Sequence, residues 1–180
     1  MDLRIVKTRR GIREAFLGLR SKEALEKIRV TDLCRVAVIN KTTFYKHYQD
    51  IYALSEEIEN QTLGSILDTF EHIDALFSDP YNFVKGLYRA FKPHEELIKT
   101  LFADGRMNIL MDKIEQQLKK HYPSVKSSPE KDIMLSFLFR GASQVLMTSS
   151  KYKDAILLET VATITKRIIA LLSPGGVSMR

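Results

Sequence analysis

Ile28-Arg29-Val30-Thr31-Asp32-Leu33-Cys34-Arg35-Val36-Ala37-Val38-Ile39-Asn40-Lys41-Thr42-Thr43-Phe44-Tyr45-Lys46-His47-Tyr48 is the stretch that decides the fold. Val30, Leu33, Ala37, Ile39, Phe44 and Tyr48 have the spacing to pack two short helices, at about 30–37 and 41–48, together and against a preceding helix. Val38-Ile39-Asn40 separates them, a length that suits the tight turn of a helix-turn-helix. Outside that apolar set, Lys41, Thr42, Thr43, Tyr45, Lys46 and His47 form a hydroxyl-rich, cationic ridge on the second short helix. Threonine hydroxyls and lysine ammoniums reach base edges, and a threonine methyl suits the methyl of thymine. Tyrosine, histidine and lysine bond phosphate oxygens, which fixes register without reading sequence. The free N–H groups and positive dipole end of that helix favour a phosphate too. The same six side chains could also be a solvated surface beside a helical core.

Working outward, a helix over about 3–20 carries Ile5, Ile12, Phe16 and Leu19 on one side, with Arg9, Arg10, Arg13 and Arg20 largely off that face. Downstream, Asp50 is placed to cap a long helix whose stripe, Ile51, Leu54, Ile58, Ile66, Phe70 and Ile73, runs to about residue 76. Asp79-Pro80 opens another helix, and Pro93 interrupts the pattern after Phe91. Shorter helices are expected at 94–103 and 106–121. Tyr122-Pro123-Ser124 and Ser127-Ser128-Pro129 bracket a loop before helices at about 130–149 and 154–172, and the tail beyond Pro174 is expected to be loose. Strand signals are nearly absent, and no period repeats. The expectation is an all-α chain of nine helices: an N-terminal three-helix head joined by a long helix to a helical body.

Charge separates the same two parts. Residues 1–50 hold twelve Lys+Arg against six Asp+Glu, whereas residues 51–180 hold sixteen of each, so the net +6 lies entirely in the head. Such a concentration is the electrostatic footprint of a polyphosphate partner. The domains are therefore read as 1–50 for DNA binding and 51–180 for ligand binding and dimerisation. Cys34 is the single cysteine, so no internal disulfide can form; no zinc spacing is present, and the usage fits a reducing compartment. Charged residues occupy the N-terminus where a signal peptide needs an apolar run, which points to the cytoplasm. The longest strongly apolar stretch, Ile133 to Phe139, falls far short of the roughly 20 residues that span a bilayer, so no membrane partner is expected.

Thr31-Asp32-Leu33-Cys34, followed by Ile39-Asn40-Lys41-Thr42-Thr43-Phe44-Tyr45-Lys46-His47-Tyr48, resembles the DNA-binding head of the TetR/AcrR family of bacterial transcriptional regulators. Arg9, Ile12, Ala15, Phe16 and Leu19 are similar to that family's opening helix, and Asp50 to the start of its fourth. The likeness covers about residues 5–60; beyond that only helical length and order agree. It implies that Lys41, Thr42 and Lys46 face bases, that Thr43, Tyr45 and His47 mainly hold phosphates, and that Arg29 or Thr31 reaches the backbone of double-stranded DNA in the major groove. Three departures stand out. Arg29 occupies a position often held by a capping threonine, so the cap comes from elsewhere or the helix begins later. Ile51 stands where many members have a phosphate-binding lysine. Val38 replaces a frequent glycine, which suggests a turn needing no positive φ.

The body contains Phe83, Tyr88, Phe91, Phe102, Met107, Met111, Met134, Phe137, Phe139 and Met147, read first as core. The resemblance implies a cavity there for a small apolar effector, with no lining residue assigned. Leu135, Leu138, Ala142 and Val145 line one late helix, and Leu157, Val161, Ile164, Ile168 and Leu171 the next. One chain could bury both stripes; the resemblance implies a homodimer paired through the last two helices across a two-fold axis, a four-helix interface. No nucleophile with base and orienter, paired acids or phosphate-binding glycine loop is present, so neither an enzyme nor a cofactor is expected. His72, His94 and His121 fall in separate segments, Cys34 in the head's core, and Gly175-Gly176 in the tail. The reading is a ligand-responsive repressor of a palindromic operator. A sequence-tolerant architectural DNA binder and a ligand-binding partner protein that does not read DNA are the alternatives.

Overall fold

A computed structural model describes residues 3–71, 75–121, 129–148 and 152–172, and among them every regular element is helical. The α-helices are α1 (Leu3–Arg20), α2 (Val30–Val36), α3 (Lys41–Tyr45), α4 (Ile51–Asp68), α5 (Pro80–Phe91), α6 (Glu95–Leu101), α7 (Met107–His121), α8 (Pro129–Thr148) and α9 (Asp154–Leu172), with 3₁₀ turns at Leu25–Lys27 and Lys92–His94. These nine, counted among the described residues, follow the order that the periodicity predicts. The expected loop at 122–128, the tail, Ile73, His72 and Gly175-Gly176 lie outside the described residues.

Local chemistry explains most boundaries. Asp50 Oδ1 accepts from the Ala53 N–H at 2.7 Å and Asp79 Oδ1 from the Asn82 N–H at 3.2 Å, with Pro80 in the first turn of α5. Each such cap contributes about 1 kcal/mol by satisfying a donor that the helix cannot. Pro93, which lacks an N–H and crowds the preceding turn, tightens the chain into the 3₁₀ turn before α6 resumes.

Two helices are shorter than their apolar stripes. α4 stops at Asp68 rather than near residue 76: Thr69 N–H bonds the Ile66 carbonyl and Phe70 N–H the Leu67 carbonyl, three residues back, which closes the helix. Phe70 is buried nonetheless, its ring 5.2 Å from that of Phe83. α3 stops at Tyr45, and Lys46 to Tyr48 wind on as a turn. Two side chains on α1 also depart from expectation: Ile5 is 44% exposed and Arg20 only 3%. In the body Phe83, Phe91, Phe102, Met111 and Phe139 are buried, but Phe137 is not core, being 67% exposed.

By contact the chain forms two compact units, Met1–Ser65 with Glu96–Met107, and Ile66–Glu95 with Asn108–Arg180. In the first, Ile12, Phe16, Leu33, Phe44, Leu54 and Leu101 are fully buried, and α2 packs on both α1 and α3. In the second, α9 packs chiefly on α5 and also on α8. Gly86 on α5 faces the Glu71 carbonyl so closely that a Cβ would overlap it.

Candidate nucleic-acid interface

α3 has only five residues, too few to persist on propensity, so its shape comes from its cap and its packing. Asn40 Oδ1 accepts from the Thr43 N–H at 2.7 Å, fixing the first turn. Phe44, fully buried, meets Tyr45 edge-on at 5.4 Å and Tyr48 at 5.8 Å between ring centroids. With Phe44 as the anchor, Lys41, Thr42, Tyr45 and Lys46 are exposed and Thr43 and His47 half-buried. Arg29 and Thr31 are exposed at the start of α2. The apolar set divides as the spacing predicts at Leu33, Phe44 and Tyr48, which are buried, while Val30, Ala37 and Ile39 are half-buried.

The turn between α2 and α3 corrects one expectation. Val38 adopts φ 53°, in the left-handed region. Val38 N–H bonds the Arg35 carbonyl at 3.4 Å and Ile39 N–H the Cys34 carbonyl at 3.0 Å, the paired closure of a Schellman motif. That closure requires a left-handed residue just past the helix end, whatever its side chain. α2 begins at Val30 with Arg29 as its N-cap and no hydrogen bond from the Arg29 side chain. Asp32 places a carboxylate in that first turn and pairs with Arg35 at 2.8 Å. Ile51 is buried at the start of α4, so this position supplies core rather than cation.

A clamp that the sequence did not announce holds the end of the segment that follows α3. Arg9 Nη2 donates to Glu57 Oε1 at 2.6 Å, and the Tyr48 hydroxyl donates to the same oxygen at 3.2 Å. The Arg9 guanidinium also lies 5.8 Å from the Tyr48 ring centroid. Arg13 donates to Gln61 at 3.0 Å, and Gln61 to Glu57 at 3.0 Å. α1, α4 and Tyr48 are thus joined through one carboxylate. Its hydrogen bond holds the Arg9 guanidinium above its ordinary range, with Tyr48 adding. Burial pushes the Tyr48 phenol up, opposed by Arg9 and reinforced by Glu57. The 48-residue separation of Arg9 and Glu57 leaves no periodic trace; only the basic back of α1 hints at a partner. Burial likewise pushes the Cys34 thiol up against the pull of Lys41, as suits a packing residue rather than a nucleophile.

Among the described residues no three His, Cys, Asp or Glu side chains are grouped to hold a metal, and no helix is long and apolar enough to cross a membrane. The elements and the site define an all-α helix-turn-helix protein. No family model and no curated protein matches the chain. Among solved structures, the fold is shared with one titled dihydroxyacetone kinase operon activator DhaS, at a TM-score of 0.50 and 16% identity over 90% of this chain and 93% of that one.

Proposed function

We propose that the protein is a DNA-binding transcriptional regulator that grips a palindromic operator as a homodimer and responds to a small apolar effector. The observation that carries this reading is the sorting of α3 and its flanks. Phe44 and Tyr48 are buried, while Lys41, Thr42, Tyr45 and Lys46 stand out on the part of the chain that holds all the excess positive charge. In this role Lys41, Thr42 and Lys46 read bases, and Thr43, Tyr45 and His47, with Arg29 or Thr31, hold phosphates. The fold shared with an operon activator supports regulation of transcription. An effector acts by favouring a head separation that no longer matches the half-sites.

Repression is the proposed sign, by resemblance to the TetR/AcrR regulators. The word activator in the name of the structural neighbour favours the opposite sign as a second reading. Selection of duplexes from a random library by the purified protein, repeated with Thr42→Ala and Lys46→Ala, tests DNA reading. An enriched inverted repeat that blurs in the variants is expected. Enrichment of nothing would withdraw the reading helix. A reporter carrying the selected site then decides the sign.

A further inference from the structure

Glu96–Met107 belongs by contact to the same compact unit as Met1–Ser65, although Ile66–Glu95 intervenes in the chain. Two arginines fasten it there. Arg20, the last residue of α1, is 3% exposed. Its Nη1 donates to Asp104 Oδ2 at 2.8 Å and to the Glu23 carbonyl at 3.0 Å, and its Nη2 to the Ala103 carbonyl at 3.2 Å. Its Nε is buried without a partner. Arg106 Nη2 donates to Glu59 Oε1 on α4 at 2.8 Å, and its Nη1 to the Leu101 carbonyl at 3.2 Å. Glu59, 1% exposed, also accepts from the Ser55 hydroxyl at 2.8 Å. The turn that carries these contacts is sharp: Asp104 and Gly105 take φ 58° and 81° in succession.

A buried guanidinium is costly when its partners leave. Of the Arg20 partners, the Asp104 carboxylate and the Ala103 carbonyl come from outside the first 65 residues, and only the Glu23 carbonyl is local. The residues that follow Arg20 lead through the Leu25–Lys27 turn directly into α2. Withdrawal of the α6–α7 turn therefore takes the Asp104 and Ala103 acceptors from Arg20 and the Arg106 cation from Glu59 together, loosening the two helices that Arg9, Glu57 and Tyr48 tie to the reading segment.

We propose that the 101–107 turn is a latch on the helix-turn-helix unit. Docked through Arg20–Asp104 and Arg106–Glu59, it holds α1 and α4 in the arrangement that α2 and α3 need; released, it frees them. The chain passes to the other unit at both ends of Glu96–Met107, so a rearrangement there has two covalent routes to the latch. Arg20 and Arg106 are then positioning residues, and the consequence for DNA rests on the proposed function.

The test is amide hydrogen exchange on the full chain. Asp104→Gly keeps a left-handed backbone and removes the carboxylate, Asp104→Asn keeps an acceptor there, and Arg106→Met removes the second ion pair. Asp104→Gly and Arg106→Met are each expected to speed exchange at the Leu33, Ala37 and Ile39 amides about tenfold, with Asp104→Asn between them and wild type. Acceleration confined to residues 101–107 would overturn the latch. The same variants are expected to bind the selected duplex more weakly, by up to about tenfold as release becomes the major state, with an unchanged salt slope, because fewer molecules are competent while the phosphate contacts stay the same. Faster exchange at α2 in a protein that selects no duplex would leave the latch standing and remove the DNA reading. Wild-type duplex affinity in both variants would overturn the latch as a control of binding.

Discussion

Val38 is a β-branched residue in a conformation that such residues avoid, and at 90% exposure nothing packs on it in return. A left-handed L-residue costs about 1–2 kcal/mol, and a glycine gives back part of that through the entropy of its unfolded chain. Val38→Gly is therefore expected to raise stability by about 1 kcal/mol, read as a higher urea midpoint at unchanged slope. A lower midpoint would mean that the turn holds no strain. The same residue marks the limit of what was legible. The side chain of Val38 argues for negative φ, but the closure onto the Cys34 and Arg35 carbonyls decides otherwise. Asp50 could be read as a cap because its partner is an amide only three residues ahead, and the structure adds the same local bond at Asn40 and Asp79. Arg20 could not be read as buried, because its carboxylate partner lies 84 residues away.

Between elements, α7 and α8 are joined by a polar cluster centred on Glu115, which is 8% exposed. Its oxygens accept from the Ser136 hydroxyl at 2.6 Å, from Arg140 Nε at 2.8 Å and from Lys119 at 2.8 Å. Lys119 also reaches Asp132 at 2.7 Å. Burial alone would push the Glu115 carboxyl up, but Lys119 and Ser136, with the charge of Arg140, outweigh it and hold it below its ordinary value. A carboxyl depressed in the folded state contributes stability that is complete above the unfolded value of about 4.3 and is lost as pH falls through the folded one. Glu115→Gln is accordingly expected to cost about 2 kcal/mol at neutral pH, with its deficit against wild type shrinking on acidification below about pH 4. Parallel stability curves down to acid would show that the Glu115 carboxyl is not what this cluster titrates. Helix order was legible at this scale because the apolar period runs unbroken through each element. The end of α4 was not, since Phe70 continues the stripe after the helix has closed; a stripe reports burial, and burial outlasts helical phase.

At the scale of the molecule, the concentration of charge in residues 1–50 is plain in the sequence, whereas the membership of Glu96–Met107 in the first unit is not, because that unit is discontinuous. The paired stripes of α8 and α9 sit between these cases. Leu138, Leu157 and Val161 are buried, yet Phe137, Val145, Ile156 and Ile164 are exposed at 67, 41, 59 and 51%, and all seven line one apolar groove. Four large apolar side chains exposed along one groove are a surface that a partner would cover, and a second copy of the same two helices would do so as a four-helix interface. A dimer formed there would carry two reading helices, and two-fold symmetry would match an inverted repeat with half-sites about one helical turn, ~34 Å, apart. Ile164→Asp places a charge in the groove while leaving residues 1–50 untouched. The wild-type chain is expected to sediment as a dimer at micromolar concentration and the variant as a monomer of unchanged helicity. The variant should lose at least about 100-fold in affinity for the full repeat, because each half-site must then be found separately, and keep its weak affinity for a single half-site. A dimer that survives the substitution would put the interface elsewhere, and a monomeric wild type that still binds the full repeat tightly would remove the symmetric reading.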